Sequence, residues 1–208
     1  MSTTSKILEK PINRGITIAF LGPDGSGKST IIDGLIAKKL PFTQHDYFHL
    51  KPILKKKGDK NIVVEDPHAE APYGAMKSYL KLMFFIVQYN KGWHKNIKSL
   101  LKKKSLVIFD RYYDDLLVDH RRYRFGGSKK IAKLVRTLIP RPDLYFILTA
   151  DANVIHQRKK EVSFQELQRQ LAAYGALADQ KRYFSINVNR TPDEIVTEIS
   201  QIIKQHIG

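Results

Sequence analysis

Gly15-Ile16-Thr17-Ile18-Ala19-Phe20-Leu21-Gly22-Pro23-Asp24-Gly25-Ser26-Gly27-Lys28-Ser29-Thr30 is the stretch from which the rest of the chain can be read. Its first half, Gly15 to Leu21, is apolar and rich in strand-forming residues. Gly22 to Ser29 then matches G-x-x-x-x-G-K-[ST] at every fixed position. Three glycines let the backbone turn tightly and present its N–H groups. With the N-terminus of the helix that follows, those groups form a concave anion site. Lys28 can reach the β- and γ-phosphates of a nucleotide, and Ser29 can ligate magnesium. Requiring a strand before the motif and a helix after it makes a chance match rare.

Outward from this turn the pattern alternates strand-like and helix-like segments. A helix is expected from about Lys28 to Leu40, ended by Pro41, and a second strand near Asp46 to Leu50. Lys51 to Asn61 reads as a basic loop, and Ile62 to Val64 as a short extended piece. Tyr73 to Tyr89 and Trp93 to Lys103 read as two helices with a break near Asn90 and Gly92. Ser105 to Phe109 is a buried strand with Asp110 at its end. Gly126 and Gly127 precede a helix from about Lys129 to Ile139, and Leu144 to Thr149 is another buried strand. A helix opens at Asp151. Ser163 and Glu166 form a capping box for the next helix, which is expected to end near Tyr183. Ser185 to Val188 is the last strand, and Thr191, Pro192 and Glu194 start a C-terminal helix. Strands separated by helices define an α/β class: a P-loop kinase fold, with a doubly wound, five-stranded parallel sheet flanked by helices.

Composition sets bounds on this reading. The 208 residues suit a single domain over 1–208 with a short inserted lid. There is no cysteine, so disulfides and thiolate metal sites are excluded. Residues 1–15 lack the apolar core of a signal peptide, and the most apolar run, Leu80 to Val87, is short and broken by Lys81. A cytoplasmic protein is expected. The net charge of +16, from 36 Lys+Arg against 20 Asp+Glu, favours anionic partners: nucleotides, nucleic acid or an anionic membrane. The charge gathers at Lys51, Lys55, Lys56, Lys57 and Lys60, at Lys102 to Lys104, and at Arg121, Arg122, Arg124, Lys129, Lys130 and Lys133. No RNA-binding aromatic motif accompanies these clusters.

A second signal is independent of the first. Leu106-Val107-Ile108-Phe109-Asp110 is an apolar strand ending in a carboxylate, and such an Asp contacts magnesium in P-loop enzymes. Together with Asp110-Arg111-Tyr112 and Arg141-Pro142-Asp143-Leu144, the Gly22 to Thr30 motif resembles the thymidylate kinase family of P-loop nucleoside monophosphate kinases. Asp151 to Glu161 followed by Tyr174 resembles that family's arginine-bearing lid, here about 157–163. Asn187-Val188-Asn189-Arg190-Thr191 resembles its final strand and loop. The likeness spans about Gly15 to Ile207.

The resemblance implies ATP and magnesium as donor and cofactor and a small-molecule phosphoryl acceptor. Gly22, Asp24, Gly25, Ser26, Gly27, Lys28, Ser29, Thr30 and Arg190 would bind the donor. Ser29 and Asp110 would hold magnesium. Lys28, Asp110, Arg111 and Arg158 would be catalytic, with Arg111 on the acceptor's phosphate and Arg158 on the transferring group. A homodimer through helices near the third strand is also implied.

The acceptor side departs from the family pattern. Where the family carries Arg-Glu-Pro-Gly after its second strand, this chain reads Phe48-His49-Leu50-Lys51-Pro52. Where a Ser and then Ala-Tyr-Gln are expected, it has Asp115 and Val118-Asp119-His120. Carboxylates repel phosphate and accept bonds from hydroxyls. Asp66, His68 and Tyr73 are further candidate acceptor contacts, while Phe84, Phe85 and Tyr89 at helical spacing read as core. Three readings stay open: a nucleoside monophosphate kinase; a kinase of the same fold acting on a hydroxyl of a sugar, nucleoside or glycoconjugate precursor; and a nucleotide-dependent module bound to nucleic acid or an anionic membrane.

Overall fold

The computed structural model describes residues 12–53 and 70–208. Lys55, Lys56, Lys57, Lys60, the piece Ile62 to Val64, Asp66 and His68 lie outside the described residues. The elements run β1 (Ile16–Leu21), α1 (Lys28–Ala37), β2 (Gln44–His49), α2 (Ala75–Gly92), α3 (Lys98–Lys102), β3 (Ser105–Asp110), α4 (Tyr113–Val118), α5 (Lys129–Val135), β4 (Leu144–Thr149), α6 (Ala152–Arg158), α7 (Phe164–Gly175), β5 (Tyr183–Asn187) and α8 (Pro192–Ile207).

The strands form one sheet in the order β2-β3-β1-β4-β5, and every pairing is parallel. β1 is central and buried along its whole length, as expected for a parallel strand covered on both faces. Its side chains alternate between two cores. Ile16, Ile18 and Phe20 pack with Ile31, Ile32 and Leu35 of α1 and Ile195, Ile199 and Ile203 of α8. Ala19 and Leu21 face the other way, among Leu82, Phe85 and Tyr89 of α2, Tyr112, Tyr113 and Tyr174. The period-two alternation of a strand thus divides the molecule into two apolar layers around the sheet.

Several expectations shift in detail. The α2 and α3 segments are not broken near Asn90 and Gly92; a π-helical turn, Trp93–Ile97, carries the helical path onward. Gly92 is needed there, since a Cβ would lie 2.3 Å from the carbonyl oxygen of Pro52. α7 ends at Gly175, well before Tyr183, and β5 begins at Tyr183. Ser163 does cap α7 by accepting from Glu166 N–H, but the Glu166 carboxylate turns to Arg169, so the box is half made. The Thr191 box on α8 is complete, with Pro192 in the first turn. The short helix α4 goes unread in the sequence. Asp143 of the Arg-Pro-Asp-Leu segment accepts from Thr17 N–H and Thr17 Oγ1 at 2.8 and 2.7 Å. It pins the start of β4 to β1, at the opposite end of the strands from the glycine turn.

Candidate active site

The glycine turn leaves the carboxyl end of the central strand, where ligands bind in open α/β sheets. Gly22, Gly25 and Gly27 have φ of 141°, 82° and 84°, a region that only glycine enters without strain. At Gly22 space is short as well: a Cβ would lie 2.8 Å from Leu148 O. Gly27 serves as N-cap of α1 without a side-chain cap, so the first N–H groups of that helix remain directed at the turn.

Lys28 is the centre of the site. It is 7% exposed, and its ammonium donates to the carbonyl oxygens of Gly22 and Pro23, each at 2.9 Å. Burial, reinforced by the nearby Arg111 cation, pulls its pKa down from 10.5 to about 7, against the pull of Asp110, Asp115 and Glu161. Ser29 and Thr30 are exposed beside it, and Ser26 is buried within 3.5 Å of the ammonium.

Asp110 ends β3 in register with His49 of β2. Its Oδ2 accepts from Tyr47 O–H at 3.1 Å and lies 3.7 Å from His49 Nδ1. Burial raises its pKa, but His49, Lys28 and Arg111 together outweigh this and hold it below the usual range. Its Oδ1 is buried and has no hydrogen-bond partner.

Arg111 follows with φ of 67°, a left-handed conformation that is rare outside glycine; its N–H donates to Phe20 O at 2.9 Å and holds it there. Its guanidinium is 4% exposed. It donates to both oxygens of Asp115 at 2.8 Å and also to Asp24. Asp115 is fully buried and accepts two further bonds, from Tyr123 and Tyr174 O–H. The carboxylate set against an acceptor hydroxyl on the sequence reading is therefore saturated from within. Asp119 is likewise buried, accepting from Arg122 N–H at 3.2 Å. Asp24 lies in the donor turn, but its carboxylate is taken by Arg111 and Arg122.

Arg158 and Arg190 flank a cavity of about 290 Å³ beside the turn, lined also by Gly25, Gly27, Thr30 and Val188. The turn, the start of α1, the end of α6 and the loop after β5 lie together at this end of the sheet. On the other side, Tyr73 packs under Arg124 and near Lys81, while Phe85 and Tyr89 are core; Phe84 is 56% exposed. Of the basic cluster 121–133, Arg122 and Arg124 are engaged in ion pairs. Sequence reasoning gave Tyr123 no role, and placed Tyr174 only after the lid and Arg122 only in a basic cluster. For the two tyrosines the signal is the Asp115 carboxylate, which as a buried charge needs partners.

A glycine cradle at the switch point of a parallel sheet, with a buried lysine and an aspartate on the neighbouring strand, defines a P-loop phosphotransferase. A family model described as thymidylate kinase matches residues 20–199, and the chain belongs to the thymidylate kinase family. It is an enzyme, a phosphotransferase of the nucleoside monophosphate kinase type. It is 27% identical over 204 residues to a probable thymidylate kinase of Pyrobaculum aerophilum, spanning 90% of this chain and 96% of that protein. It is 26% identical over 220 residues to the thymidylate kinase of Halothermothrix orenii, spanning 92% and 97%. The solved thymidylate kinase of Candida albicans shares the fold, with a TM-score of 0.61 at 21% identity over 92% of each chain. Among the described residues, no helix is long and apolar enough to cross a membrane.

Proposed function

We propose that the enzyme transfers the γ-phosphoryl group of ATP, with magnesium, to the phosphate of a nucleoside monophosphate. A phosphate oxygen of the acceptor bonds to the γ-phosphorus as the bond to the β–γ bridging oxygen breaks, giving ADP and a nucleoside diphosphate. The observation that carries this reading is the meeting of a complete glycine cradle, Lys28, Asp110 and Arg111 at one strand end.

The loop amides and Lys28 would hold the donor's β- and γ-phosphates. A bound triphosphate would return Lys28 to its charged form, so that its full charge appears where negative charge is shared between donor and acceptor. Ser29 and Asp110 fit magnesium: the partnerless Oδ1 of Asp110 suits a hard cation or its water. Among the described residues no cluster of three or more His, Asp or Glu could hold a metal alone, as suits an ion shared with substrate phosphates. Bound there, magnesium supplies charge neutralisation to the phosphates. Arg158 would stabilise the transferring group, and Arg190 would border the donor nucleoside. Residues 157–163 would be the lid of a single domain spanning 1–208. The cytoplasm, which supplies ATP and magnesium, is the expected compartment.

A release assay tests the reading. ADP production should rise with thymidylate or another nucleoside monophosphate. One observation favours the second reading, a hydroxyl acceptor: Asp115 and Asp24 already neutralise Arg111, the residue assigned to an acceptor phosphate. Turnover with unphosphorylated hydroxyl compounds alone would replace the first reading with the second.

A homodimer is supported by the apolar stripe Met76, Leu80, Met83, Phe84 and Val87, which lies exposed at helical spacing on α2. Sedimentation should give twice the chain mass of 24.0 kDa.

A further inference from the structure

Arg122 belongs to none of the motifs, yet it joins three parts of the site. Its guanidinium contacts Asp24 of the glycine turn, Glu161 of the 157–163 segment at 3.3 Å, and Asp119 beyond α4 at 3.7 Å. About four-fifths of the Arg122, Asp24 and Glu161 side chains is out of solvent, so these pairs are screened less than surface pairs. Asp24 also binds Arg111, so an unbroken chain of alternating charges runs from Asp115 through Arg111, Asp24 and Arg122 to Glu161.

The other ion pair of Glu161 is with Lys159, which lies on the same short segment and cannot anchor it to anything else. Among the ion pairs of the described residues, Arg122 alone ties that segment to the body of the protein. The segment is also pressed on the turn: a Cβ at Gly25 would lie 3.1 Å from Lys159 Cβ and 3.2 Å from Ile155 O. Arg158, which borders the donor cavity, is the residue before Lys159. Arg158 ends α6, and the chain that leaves it is the stretch that carries Glu161.

We propose that Arg122 is a positioning residue: by bridging Asp24 and Glu161 it holds the 157–163 segment, and with it Arg158, against the phosphate-binding turn. This rests on the kinase reading for its effect on rate, but not for its effect on the segment. The two are separated by hydrogen exchange on the full chain without nucleotide. Arg122→Gln and Glu161→Gln should each speed exchange of the amides of 158–163 by about tenfold, leaving β1 and β3 unchanged. Arg122→Lys should keep part of the protection, because a lysine reaches one carboxylate but not both.

In turnover assays both glutamine variants should lower kcat by about tenfold with KM for ATP little changed. The double variant should be no worse than either single one, since both break the same link. Unchanged exchange over 158–163 in both variants would overturn the proposal, whether or not an acceptor is found. So would independent, multiplying effects on kcat, or an Arg122→Gln defect confined to KM for the acceptor.

Discussion

The donor side and the acceptor side of this site lie within one side chain of each other but are built differently. The donor side is made of backbone: glycines in left-handed conformations, the open N-terminus of α1, and a lysine folded onto two carbonyls. The acceptor side is made of side chains drawn from β3, α4, α7 and the turn, locked to one another around Asp115. Backbone geometry needs particular residues at particular spacings, so it is written locally. A side-chain network can be rebuilt with different residues, provided its charges balance. On the proposed reading, this is how a chain can keep a donor motif while its acceptor side differs from the expected pattern.

The sharpest way to break this comparison is at Lys28. Lys28→Ala should lower turnover by roughly 10³-fold, with the thermal transition retained. Near-normal turnover would remove the donor site from the account. Asp115→Asn strikes the other side and should act first on the fold. Halving the countercharge of a buried arginine, and unsettling two buried tyrosines, should cost about 3 kcal/mol of stability. Unfolding in denaturant measures this; a loss of activity with unchanged stability would instead place Asp115 in contact with the acceptor.

The smallest expected effect concerns pH. The Lys28 pKa is lower in the folded chain, about 7, than the ordinary 10.5. The unfolded chain therefore binds more protons between these values, and stability from this group rises with pH across that window. Below pH 7 its full penalty is present. Lys28→Met should flatten that part of the stability–pH curve; an unaltered slope would show that the ammonium is not desolvated as described.

Much of the fold is readable from the sequence, because strands buried on both faces and capped helices leave local marks. Leu144–Thr149 matches its expected bounds, and the Thr191 box starts α8 where expected. The continuity at Gly92 is decided by close packing against Pro52, which no local pattern records, whereas the end of α7 at Gly175 has a local mark in that glycine. The donor residues are readable for the same reason: Lys28 follows its glycines at fixed spacing. Asp115 is not. As a carboxylate in sequence it is equally a ligand for a hydroxyl or a partner for a cation, and only Arg111, four residues before it, together with Tyr123 and Tyr174, decides between them. The bridge through Arg122 is less visible still, because Asp24 and Glu161 are distant in sequence and each is an ordinary acidic residue until folded.

The central claim is that a desolvated lysine in the glycine turn grips the phosphates of ATP. Calorimetric titration of ATP with magnesium at pH 8, repeated in buffers of different ionisation enthalpy, tests it most directly. Binding should take up close to one proton, because Lys28 recovers its charge against the phosphates, and the uptake should vanish in Lys28→Met. Tight binding with no proton uptake, or no binding of ATP at all, would contradict it.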